Sequence, residues 1–440
     1  MAEENGERSR PSRRAFLGAA ATGGAGLAAG AAGATLLTGP WTGPPAGPAA
    51  GGQAAAGAWG GRAPAGGAGN GRVPRGSFRG EHQPGVLTGP ALACLVAAFH
   101  CRDRDRQVLA GTLRRLSDEM DALMAGRAPA PNAATLPPSD SSLLLGQGDQ
   151  PALVTLSVGA SLFDGRYGLA DRRPAELRPM GVLANDRLDP ARTHGDLLVL
   201  VQGDHPDVCL HALRRLTMAA GDSLRLAWSQ DGFARPDPVA TAGATDNRNL
   251  LGFKDGTGNP DAGNAALMDR AVWVGAGDGE PAWALGGTYV AVRLIRMFVE
   301  RWDRTSLAAQ ERVMGRRKDS GAPLDGSKET DLPRYADDPR GERIPLNAHI
   351  RLANPRTAGP EKAMLRRGFN YSRGLDADGL LDQGLVFVSY QRRLVNFLQA
   401  QERLRGEPME AFTRPEGGGF FYALPGARDG YLGQGLVDDQ

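Results

Sequence analysis

Residues Asp196–Ser229 read DLLVLVQGDHPDVCLHALRRLTMAAGDSLRLAWS, a stretch that passes from strand to helix and back to strand. Asp196–Gln202 is a short run of Leu and Val, the composition of a buried or half-buried strand. Pro206 follows His205 and suits a helix first turn, where a missing N–H costs nothing. Pro206–Ala220 is therefore expected to be helical, and Leu224–Ser229 returns to strand composition.

The same order recurs near the C-terminus: Leu385–Tyr390 reads as strand, Gln391–Arg405 as helix and Gly419–Leu424 as strand. Leu153–Val158 and Thr288–Phe298 are further strand candidates, and Cys94–Met124 and Glu300–Arg317 further helix candidates. The repeated pattern predicts an α+β protein of two similar units, each an antiparallel sheet with helices on one face. No short-period repeat occurs, which excludes a solenoid.

The chain has 440 residues and a formal net charge of +2, from 51 basic and 49 acidic side chains. This balance argues against a nucleic-acid partner, which calls for a basic excess. Cys94, Cys101 and Cys209 form no CxxC, so neither a zinc cluster nor a cysteine-held iron–sulfur centre is expected. Burial as small apolar side chains suits Cys94 and Cys101 better than pairing. No HExxH, GxSxG or P-loop is present.

Met1–Arg14 is polar and basic, and Ala15–Leu37 is a mildly apolar run of Ala, Gly and Leu. Arg13 and Arg14, followed by Phe16 and Leu17, resemble a twin-arginine export signal. Gly23, Gly24, Gly26 and Gly30 argue against a spanning helix. The expected organisation is a signal over 1–38, a Gly/Ala/Pro-rich linker over 39–75, and two folded units over 76–240 and 241–440. The expected location is extracytoplasmic. That export route carries folded proteins, often with a cofactor already loaded.

Three segments hold the candidate chemistry. Gly252–Pro260 reads GFKDGTGNP, which taken alone is a tight turn. It is not a calcium loop, because Ala266 stands where the bidentate Glu would be. Pro345–Arg356 reads PLNAHIRLANPR, with one histidine among apolar neighbours. Met364–Tyr371 reads MLRRGFNY, and its two arginines taken alone suggest a surface ion pair.

Together the three segments resemble the active-site signature of the dye-decolorizing peroxidase family. The resemblance is closest to its twin-arginine-exported subgroup, which includes deferrochelatase/peroxidases of iron-uptake systems. It extends to Gly80–Gly85 (GEHQPG), to Ser161–Phe163 with Arg166–Leu169, and to Gly417–Gly426 (GGGFFYALPG), covering about residues 76–430.

The resemblance implies two ferredoxin-like units, with one haem b bound in the C-terminal half. It implies His349 as the iron ligand, with Glu410 as the carboxylate behind it. It implies Asp255 on the opposite face as the proton-moving group, and Arg366, rather than Arg367, as the charge stabiliser beside it. Gly256, Thr257 and Gly258 would let backbone approach the porphyrin. Asn354, Pro355 and Arg356 would meet its edge and propionates. The implied activity is reduction of hydrogen peroxide coupled to one-electron oxidation of aromatic or metal donors. The implied alternative is a haem-handling, iron-releasing protein. The implied partners are iron-uptake or copper-oxidase proteins and further copies of the chain. Tyr371, Tyr390 and Trp302 are candidates for relaying oxidising equivalents outward.

Overall fold

The computed structural model describes residues 77–89, 91–235, 247–357 and 359–438. The expected export signal and linker lie outside the described residues. The strands are β1 (Ala93–Cys101), β2 (Leu153–Gly159), β3 (Leu197–Gly203), β4 (Leu224–Phe233), β5 (Thr288–Met297), β6 (Leu365–Leu375), β7 (Leu381–Gln391) and β8 (Thr413–Ala423). The helices are α1 (Arg106–Met124), α2 (Pro206–Ala220), α3 (Ala265–Ala271), α4 (Val299–Asp303), α5 (Leu307–Met314), α6 (His349–Ala353), α7 (Leu394–Leu404) and α8 (Gln434–Val437).

The first four strands run in the order β4-β1-β3-β2, and the last four repeat it as β8-β5-β7-β6. Every pairing is antiparallel. This is the ferredoxin-like order twice over, as expected. The two sheets are also joined at their edges. β2 pairs with β8 over Ser157–Gly159, and β4 meets β6 at Phe233 and Asn370, closing one barrel. Closure leaves no edge strand exposed for pairing with another chain.

Strand alternation divides the side chains between two faces. Val96, Leu200, Val292, Phe369, Tyr371, Val388, Tyr390 and Phe421 pack together inside the barrel. Leu95, Phe99, Tyr289, Phe420 and Tyr422 point outward and pack with Leu113, Met120 and Leu216 of α1 and α2 and Phe397 of α7. A third cluster gathers Leu251, Phe253, Met297, Trp302, Met314, Leu385 and Met409 outside the β5–β7 sheet, and the candidate site lies beside it.

Several expected elements differ. Cys94–Met124 is not one helix: it is β1 followed by α1, divided at Asp105, whose carboxylate caps α1 by accepting from Gln107 and Val108 N–H. Glu300–Arg317 contains two short helices, because Ser306 starts a new one by capping Ala309 N–H. β6 carries Arg366 yet was not expected as a strand. Cys94, Cys101 and Cys209 are free and buried, as expected. No described helix is long and apolar enough to cross a membrane.

Candidate functional site

The loop over 247–260 is held from both sides. Leu251 and Phe253 are buried in the third cluster, where the Trp302 indole donates to Leu251 O at 2.8 Å and meets Phe253 edge-on. Asp255 N–H donates to Asn247 O at 2.8 Å. The Asp255 side chain then lies against Gly368 of β6, and a β-carbon at 368 would overlap its Oδ2. That oxygen is buried and accepts no hydrogen bond. Burial raises the Asp255 carboxyl above the usual carboxylate range, against the opposing pull of Arg366, Gly256 N–H and His349.

Alternation along β6 explains which arginine faces this loop. Arg367 points into the barrel with Leu365 and Phe369, where it donates to the carbonyls of Gly85 and Val86. Arg366 points outward, toward the loop over 247–260. Its Nη2 donates to Thr257 O at 2.9 Å and its Nε to Asn259 Oδ1 at 3.2 Å. Asn259 also donates to Arg366 O at 2.7 Å, so loop and strand are stitched at one residue pair. No described group engages Arg366 Nη1, which is available to a ligand.

His349 is the first residue of α6. Its Nδ1 lies 2.7 Å from Glu407 Oε2, leaving Nε2 for another partner, and 31% of its side chain is accessible. Burial pulls the imidazole pKa down, but the Glu407 carboxylate outweighs it, and the net shift is upward. Glu410, expected in this position, is not the partner. Arg405 and Gly406 separate Glu407 from the end of α7, and Glu407 opens the turn over Pro408–Ala411 in which Glu410 lies. Glu410 instead accepts from Gly406 N–H at 2.9 Å. Glu407→Gln is expected to weaken haem retention or turnover by ~10- to 100-fold, the usual cost of losing such a partner, whereas Glu410→Gln should leave both near wild type. Haem titration and steady-state assays of the two variants check this.

Asn354, Pro355 and Arg356 form the turn after α6. Asn354 Oδ1 accepts from Arg356 N–H at 3.1 Å, and Arg356 adopts a left-handed φ of 62°. Arg356 reaches back towards Gly258 of the opposite loop. Near it, Tyr335 has its phenol pushed up to about 12 by burial, while Arg356, Arg316 and Arg351 pull the other way. Arg356 is exposed, whereas Arg316 and Arg351 are spent on backbone carbonyls of Gly321, Glu329, Ile344 and Asp338.

These residues fit a haem. Among the described residues no cluster of three or more His, Cys, Asp or Glu side chains could hold a bare metal ion. One imidazole with a free Nε2 suffices when a porphyrin supplies the other iron ligands, and exposed Arg356 suits propionates. Tyr371 and Tyr390 lie inside the barrel and Trp302 is fully buried, so none of the three relay candidates reaches the surface. Sequence reading missed Glu407, Asn259 and Gly368. Of these only Gly368 carried a signal, standing two residues beyond Arg366 and so on the same strand face.

Comparison with known proteins agrees with this reading. Residues 83–234 match the Dyp-type peroxidase N-terminal model and residues 246–428 the C-terminal model. The chain is 46% identical over 366 residues to the deferrochelatase of Escherichia coli strain K12, covering 82% of this chain and 86% of that protein. The deferrochelatase of Shigella flexneri serotype 5b is similar to the same degree. The DyP-type peroxidase of Streptomyces coelicolor superposes with a TM-score of 0.74 at 40% identity, covering 84% of this chain and 98% of that one. Ferric DtpA of Streptomyces lividans gives 0.73 at 40% identity over 82% and 96%. The chain belongs to the Dyp-type peroxidase family.

Proposed function

We propose that this chain is an exported haem peroxidase that reduces hydrogen peroxide and oxidises aromatic or metal donors one electron at a time. The observation that carries the proposal is the pairing of two unlike faces. A carboxylate-backed imidazole, His349 on Glu407, stands on one side, and the orphaned Asp255 oxygen beside Arg366 stands on the other. A haem held in this site would supply the redox chemistry. His349 would hold it through Nε2, while Glu407 fixes the ring orientation and keeps the imidazole electron-rich. Arg356 would be the cation for its propionates. Asp255, when ionised, takes a proton from one peroxide oxygen and delivers it to the other, which leaves as water. Arg366 stabilises the negative charge that develops during that transfer, as a donor that stays charged throughout.

A twin-arginine signal over 1–38 and a linker over 39–75, followed by units over 76–240 and 241–440, complete the proposed organisation. The second reading is release of iron from haem, favoured by the 46% identity to deferrochelatases. One experiment separates the two. Haem-loaded protein is turned over with hydrogen peroxide and an anthraquinone dye, and its tetrapyrrole is then extracted for mass spectrometry. The proposal expects bleached dye and iron-bearing haem. Metal-free porphyrin with dye unconsumed would favour iron release instead.

A further inference from the structure

The segment between α5 and α6 carries Glu329, a buried carboxylate that lies on no strand or helix. Its two oxygens take partners on either side of Asp255. Oε2 accepts from Lys254 Nζ at 2.8 Å, and Oε1 accepts from Thr257 Oγ1 at 2.7 Å. The bracket is itself anchored, because Arg316 Nη1 donates to Glu329 O at 3.1 Å. Gly321, at a φ of 75°, lets the Lys254 stem pass, and a β-carbon there would stand 2.8 Å from Lys254 Cδ. Glu329 therefore holds the residue before Asp255 and a residue two beyond it, and neutralises the cation nearest to it in the chain.

We infer that Glu329 is a positioning residue for peroxide activation: it brackets the loop so that the Asp255 carboxylate stays seated on Gly368 beside Arg366. This rests on the proposed role of Asp255. A carboxylate that moves a proton must sit within hydrogen-bond reach of the reacting oxygen, and a displacement of about 1 Å can cost ~100-fold. The ties around Asp255 are its own N–H to Asn247 O, the Asn259 N–H turn on Gly256 O and the Arg366 bond to Thr257 O, and Glu329 adds two side-chain arms, at 254 and 257.

The bracket acts on placement rather than on charge. The charged groups facing Asp255 are Arg366 from β6 and His349 from α6, while Lys254 is paired with Glu329. Removing Glu329 therefore leaves the acid limb of the peroxide reaction at its wild-type pH.

The test uses full-length haem-loaded Glu329→Gln, which keeps the side-chain size. Its bimolecular rate with hydrogen peroxide is expected to fall ~10- to 100-fold with the acid limb at its wild-type pH, while KM for the donor dye and the ferric spectrum stay unchanged. In haem-free Glu329→Gln protein, amide exchange at Asp255 is expected to quicken by about tenfold or more. A wild-type peroxide rate in Glu329→Gln, with Asp255→Asn slow, would overturn the inference. A wild-type rate in Asp255→Asn would instead remove the reading on which it rests. If Glu329→Gln does not fold, Thr257→Val and Lys254→Met each sever one arm, and wild-type rates and exchange in both overturn it equally.

Discussion

His349→Ala is expected to yield a folded chain that no longer retains haem. Glu407 occupies the imidazole Nδ1 and leaves Nε2 free for iron. The affinity loss should exceed the ~10- to 100-fold that follows removal of a carboxylate behind a metal-bound histidine. The fold should survive, because His349 opens a five-residue helix and belongs to none of the apolar clusters. Haem titration followed at the Soret band measures the loss, and far-ultraviolet circular dichroism should match wild type. Wild-type affinity in the variant would transfer the ligand role to another residue.

Asp255→Asn should bind haem normally and react with peroxide ~100- to 10,000-fold more slowly, the usual contribution of a positioned proton-transfer group. The pH dependence carries a sign. Burial holds the Asp255 carboxyl above its ordinary value, so it stays protonated, and inactive as a base, to a higher pH than a free Asp near ~3.9. Wild-type reactivity should therefore rise with pH through that raised value and fall below it. The Asn variant should lose this limb altogether. A variant that kept the limb would assign it to a different group.

The sequence revealed the ends of this mechanism better than its supports. His349, Asp255 and Arg366 stand in short motifs, and the choice of Arg366 over Arg367 follows from strand alternation that the structure shows directly. The carboxylate behind His349 was misplaced by three residues because its position depends on where α7 ends and how the next turn runs. Glu329 was invisible, since its link to Lys254 and Thr257 spans more than 70 residues of chain. β1 was absorbed into a predicted helix because ACLVAAFHC is almost wholly buried, and such a run shows neither a period of two nor one of 3.6. β6 was missed because Arg367 stands on its inward face between Leu365 and Phe369 and interrupts the apolar alternation that would have marked a strand. The duplicated strand–helix–strand pattern did foretell the two ferredoxin-like sheets, but not that their edges pair to close a barrel. That pairing rests on a few residues at Ser157–Gly159 and a single pair at Phe233 and Asn370.

The most direct test mixes ferric, haem-loaded protein with one equivalent of hydrogen peroxide in a stopped-flow spectrometer, beside the Asp255→Asn variant. The account predicts a rapid Soret shift in wild type that reverses on adding a donor dye, and a slow shift in the variant. A wild-type spectrum that peroxide leaves unchanged would contradict it.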